Sequence, residues 1–192
     1  MHLSKISFSL LLFVSFAQAQ VRSESVSTRE IFVVKDDQHD QWCGYRSKVE
    51  SKSEAQRLNS TVVVGVKYDN GQIASIHVTE GDDSGDWNVD DQYLLDKKEN
   101  LKTLSRVIDN STLGVTQKEQ FKIANGKAIR QSIVSRTSRT GERAEELSGD
   151  YLPEVPVVPN IQMFAFWPFI RAKQQEIWIK GKVCVATGSL SH

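Results

Sequence analysis

The chain has 192 residues, with 24 Lys and Arg against 24 Asp and Glu and so no net formal charge. That balance gives no electrostatic reason to bind nucleic acid or an anionic membrane, and the sequence shows no polybasic stripe to supply one locally. The length suits a single domain able to bury its own core.

At the N-terminus, Lys5 is the only charged residue before Arg22, and residues 6–16 are apolar apart from Ser7, Ser9 and Ser15. Ala17-Gln18-Ala19 follows. A basic start, a short apolar stretch and small residues two apart form a secretory signal peptide. The rival reading is a buried helix or a membrane anchor, but a bilayer span needs about 20 apolar residues. The expected organisation is a signal peptide over residues 1–19 and one exported domain over residues 20–192, starting at Gln20. After cleavage no segment reads as transmembrane. The short signal and the scarcity of cysteines favour a bacterial envelope protein, periplasmic or secreted.

Residues 30–35 read as a strand, and residues 48–58 as a strand or a short helix. Cys43 and Cys184 are the only cysteines. In an oxidising compartment a bridge between them is the expected state. The alternatives are two inert thiols, or a nucleophile at Cys43 served by His39, for which no surrounding signature exists.

Residues 61–68 and 72–78 are β-branched and apolar around Asp69-Asn70-Gly71, which predicts a hairpin. A three-residue loop would pair Val66 with Ala74, Val64 with Ile76 and Val62 with Val78, placing the apolar side chains on one face. The same reasoning around Ala124-Asn125-Gly126 pairs Phe121 with Ile129. Both turns then require Gly71 and Gly126 at positive φ. Between them, Leu94, Leu101, Leu104 and Ile108 fit a helical stripe. A third hairpin turning through residues 96–100 is favoured, because Thr103, Ser105 and Val107 alternate with Leu104, Arg106 and Ile108.

Residues 136–150 read as a charged surface loop. Pro153, Pro156 and Pro159 imply an extended segment. Residues 161–170, which include Phe164, Phe166, Trp167 and Phe169, read as a core-filling cap or as a lid over an apolar pocket. Residues 176–187 alternate like a closing strand. The fold class is therefore mainly β: one antiparallel meander forming a curved sheet or half-barrel, with an apolar C-terminal lid and little helix. By fold-level analogy that architecture compares with periplasmic lipid or ligand carriers.

No cofactor motif is present, and three histidines after the signal are too few for a metal centre. The acidic stretch over residues 80–91 offers oxygen ligands for calcium, but Trp87 stands where a calcium loop needs its turn glycine. Asp83-Ser84-Gly85 matches a serine-protease nucleophile string without the rest of that fold. Asn59-Ser60-Thr61 and Asn110-Ser111-Thr112 have the form of glycosylation acceptors. The leading functional expectation is non-enzymatic binding of an apolar small molecule or an envelope protein. The pocket would lie between Val64, Val66, Ile76, Phe121 and Ile129 on the sheet and Phe164, Phe166, Trp167 and Phe169 on the lid. The alternatives are an exported hydrolase assembled only in the fold, or a structural envelope module.

Overall fold

The computed structural model describes residues 28–81, 84–153 and 155–190. The expected signal peptide lies outside them. Nine strands form one unclosed antiparallel sheet in the order β8-β7-β6-β5-β4-β3-β1-β2-β9. The strands are β1 (Thr28–Asp36), β2 (Gln41–Tyr45), β3 (Val62–Asp69), β4 (Gln72–Gly81), β5 (Trp87–Leu95), β6 (Leu101–Asn110), β7 (Val115–Ala124), β8 (Lys127–Thr137) and β9 (Lys182–Ala186). The run from β3 to β8 is the expected meander. Helix α1 (Lys48–Leu58) connects β2 to β3, and helix α2 (Trp167–Lys180) precedes β9.

Residues 48–58 resolve as helix because both ends are capped. The Ser47 hydroxyl accepts from the Glu50 N–H, and Asn59 closes the helix in the left-handed region. The third hairpin forms as expected. Leu95 pairs with Leu101 across residues 96–100, and the Asp96 carboxylate accepts the Lys98 and Asn100 N–H groups at 2.8 and 3.0 Å.

The other two hairpins depart from the expected register. Asp69 pairs with Gln72 and Ala124 with Lys127, so each turn has two residues, not three. Asn70 and Asn125 join Gly71 and Gly126 at positive φ. That is the two-residue turn whose twist matches the flanking strands. A β-bulge then shifts the ladder, at Ala74 in the first hairpin and Gln131 in the second. Val66 consequently faces Ile76, and Val64 faces Val78. The apolar side chains still share a face, because the bulge restores the alternation that the shorter turn would have split. In the second hairpin Phe121 faces Arg130, and Ile129 faces Lys122.

The closing segment differs as well. Residues 167–180 are helical, and only Lys182–Ala186 forms a strand. Pro168 lies in the first turn, where its missing N–H costs nothing, and Gly181 ends the helix at φ 85°. Phe169, Ile170 and Ile177 form its buried stripe. The helix lies against β2 at Gly44, where an added Cβ would collide with Ile177 Cδ1 and stand 3.0 Å from Phe169 Cε1. We expect Gly44→Ala to destabilise the fold by about 1–3 kcal/mol, through overpacking that α2 must move to relieve. Urea titration measures it.

Cys43 and Cys184 face each other in the β2–β9 ladder at disulfide distance, with Cα atoms 4.1 Å apart and 141 residues between them in sequence. Cys43 is buried beneath α1 with Val34, Tyr45 and Leu58. Reduction, or Cys184→Ser, should lower unfolding free energy by about 2–5 kcal/mol, the range for loops of this length. Equal urea midpoints with and without reductant would show that the bridge contributes nothing.

Candidate functional site

The sheet's inner face has an apolar half and a polar half. In the apolar half Ile31, Val33, Val64, Val66 and Ile76 are fully buried beneath Phe164, Phe166, Phe169, Ile170 and Ile177. The aromatic rings interlock. Phe164 stacks on Phe166 with centroids 4.9 Å apart, Phe166 meets Trp42 edge-on at 6.2 Å, and Tyr93 meets Phe164 edge-on at 5.1 Å. Phe164, Phe166 and Phe169 therefore fill the space that the sequence offered as a ligand cavity. Phe121 is partly buried at the edge of the same cluster. Ile129 lies on the opposite face of the sheet, half exposed, because the two-residue turn sets it against Lys122.

The polar half lies over β5–β8. Arg106 on β6 forms a two-pronged ion pair with Asp91 on β5, its Nε donating to Oδ1 at 2.7 Å and its Nη2 to Oδ2 at 2.6 Å. Both residues are buried. Removing either partner would strand a buried charge, which is far costlier than losing a surface pair. Burial pulls the Arg106 pKa down, but the hydrogen bonds and charge of Asp91 outweigh it and hold the guanidinium firmly charged. On β7, Glu119 takes hydrogen bonds from Gln117 at 3.3 Å and Arg130 at 3.2 Å.

The proline-rich segment runs across this polar half as a strap, and side chains of the sheet hold its backbone. Arg106 donates to the carbonyls of Val155 at 2.8 Å and Pro156 at 3.3 Å. The Leu147 N–H donates to Gln117 Oε1 at 2.8 Å, Asn110 donates to the Tyr151 carbonyl at 3.3 Å, and the Val158 N–H donates to the Tyr93 hydroxyl at 3.1 Å. Prolines suit such a strap, since they lack the N–H that would otherwise need a partner.

Where strap, α2 and sheet meet, at the end carrying the turns of residues 96–100 and 125–126, there is a cavity of about 690 Å³. That volume is within the range of small-molecule sites. Leu101, Ile123, Ile161 and Trp167 line its apolar part. Its acids are committed to the fold: Asp96 caps its own turn, and Glu99 accepts the Ile73 N–H at 2.9 Å. Its cations Lys98, Lys102 and Arg171 are exposed, and their side chains make no hydrogen bond or ion pair among the described residues. Of the four aromatic residues singled out in the sequence, Trp167 is the one that lines this cavity. Lys102, Arg171 and the turns were missed, because only the fold brings residues 96–102, 123–126 and 159–171 together.

The outer face carries a groove of about 640 Å³ beside α1, in which His77 on β4 bonds Asp90 on β5. An imidazole oriented by a carboxylate is two-thirds of a nucleophilic triad. Among the described residues, no hydroxyl or thiol is hydrogen-bonded to His77. His39 bonds Asp36 at 2.9 Å, and Cys43 is engaged with Cys184. Asp82 and Asp83 of the acidic stretch, and His192, lie outside the described residues. Among the described residues no three His, Cys, Asp or Glu side chains gather to hold a metal, and no helix is long and apolar enough to cross a membrane. Comparison with protein-family models, curated proteins and solved structures finds no match to the chain.

Glu80 on β4 stands near Asp91 and Arg106, and its carboxyl is raised above the ordinary value of 4.5, first by burial and then by the Asp91 charge. A carboxyl raised in the folded state stabilises while protonated, and that stability is lost as pH rises through its folded pKa. Glu80→Gln should therefore be more stable than the parent at pH 7, with the advantage vanishing below about pH 4.5, where both side chains are neutral. Thermal unfolding across pH 4–8 checks it, and a pH-independent difference would remove Glu80 as the cause.

Proposed function

We propose that the protein is an exported, non-enzymatic binding domain that takes an amphipathic small molecule bearing an aromatic or apolar body and an anionic group. The end cavity carries this reading. It joins an apolar lining at Trp167, Ile161, Leu101 and Ile123 to three cations, Lys98, Lys102 and Arg171, whose side chains the fold leaves uncommitted among the described residues. A ligand of that kind would lay its body against the Trp167 ring and set its anionic group among these cations. Charge-assisted bonds to Arg and Lys are the stronger class of hydrogen bond, and ring contact adds dispersion without demanding one ligand shape. The filled inner face argues against a long, wholly apolar ligand such as an acyl chain.

Anilinonaphthalene sulfonate, an aromatic anion, is a suitable probe. It should bind the folded protein at one site and quench Trp167, and Arg171→Glu should weaken it by about tenfold, the loss of one charge-assisted contact. Binding at full strength to both Arg171→Glu and Lys102→Glu would move the site elsewhere. Export is tested separately by intact mass. Protein made in its own host should begin at Gln20 and, when denatured, weigh about 2 Da less than its reduced form through the Cys43–Cys184 bridge. A mass that includes residues 1–19 would set the export reading aside.

A further inference from the structure

The sheet ends on β8, an edge strand of 11 residues. At its far end the chain begins a tenth strand. The Thr137 N–H donates to Glu142 O, the Ala144 N–H donates to Ser135 O, and Arg136 bridges Arg143. This return stops there and the chain leaves for the strap. Over residues 127–134 the outer edge of β8 has no strand partner among the described residues. Ile129 and Val134 are 51% and 47% exposed on the outer face, opposite Lys122 and Lys118 of β7. Residues 127–143 carry five Lys or Arg and a single acid, Glu142, in a chain of zero net charge. These cations are spread along the edge, from Lys127 at the start of β8 to Arg136, Arg139 and Arg143 at its far end.

We propose that residues 127–134 form a strand-addition site for an extended, acidic segment of another protein. An edge strand offers main-chain donors and acceptors in register, and the alternating side chains supply selectivity. Acids on the outer face of the incoming strand would meet Lys127 and reach past Ile129 and Val134 to Lys122 and Lys118, while its alternate apolar residues turn to the inner face beside Ile133. Two other occupants fit less well. A second copy pairing through the same edge brings up another segment that carries Lys127 and Arg130 and no acid, so the two edges repel. An anionic membrane would suit the cations, but it leaves the backbone of an open edge without hydrogen-bond partners in hydrocarbon.

The probe is a fluorescein-labelled octapeptide alternating glutamate with valine, and its control replaces glutamate with lysine. Anisotropy with the folded protein should show binding of the acidic peptide at least about tenfold tighter than the control, weakening as the Debye length shortens from about 30 Å at 0.01 M salt to about 8 Å at 0.15 M. Lys122→Glu and Lys127→Glu, which change only exposed side chains, should each reduce it severalfold. Ile133→Pro removes an N–H that, by alternation with Ser135 and Thr137, points away from β7. It should abolish binding while near-ultraviolet circular dichroism stays that of the parent. If it unfolds the protein, the two lysine variants still decide the matter. The proposal is overturned if the two peptides bind equally, or if binding ignores the lysine reversals. It is equally overturned if vesicles of phosphatidylglycerol capture the protein while the acidic peptide does not, or if sedimentation shows self-association through this edge. None of these outcomes involves Arg171 or the sulfonate probe, so this site and the end cavity stand or fall separately.

Discussion

An open sheet of nine strands cannot cover its own inner face, so the chain after β8 must do so. That constraint orders the C-terminal third of the chain. The apolar half of the face takes α2 and three phenylalanines, and the polar half takes a strap held by Arg106, Gln117 and Asn110. Tyr93 stands at the boundary. Its ring meets Phe164, while its hydroxyl accepts from Val158 of the strap. One side chain thus joins the aromatic cover to the strap, whose hydrogen bonds are backed by Leu147 and Val155 packing on Val89 and Ile108.

The division explains why the cavity is where it is. Aromatic side chains pack to near-crystalline density when they interlock, so the middle of the face has no room for a guest. At the turn end the sheet runs past its cover. Leu101 and Ile123 extend beneath Ile161 and Trp167, and the turns wall the gap. On the proposed reading, the guest is therefore small and partly polar.

Much of the meander was legible in the sequence because strand alternation and Asn-Gly turns are local signals. The third hairpin was readable from Thr103, Ser105 and Val107 alternating with their apolar neighbours. The one-face reading of Val64, Val66 and Ile76 held although the loop length behind it did not, since a bulge and a turn residue shift register by the same step. The bulge itself has no local signature at Ala74 or Gln131. Helix α2 was misread because Ile177 and Ile179 flank Trp178 like strand residues. The better signal was Pro168 at the start, Phe169, Ile170 and Ile177 at helical spacing, and Gly181 at the end. The cavity was legible only through Trp167. The Asp91–Arg106 pair was out of reach, since nothing in either neighbourhood announces a partner 15 residues away.

The pairing of β2 with β9 bears on the order in which the protein can be built. β2 is among the first strands to be synthesised, and its outer neighbour is the last. A ribosome or translocation channel delivering the chain from the N-terminus presents the flank of β2, and Cys43 with it, long before their partners arrive. For that interval the growing meander lacks both its closing strand and its aromatic cover, and a holding chaperone would find its binding surface there.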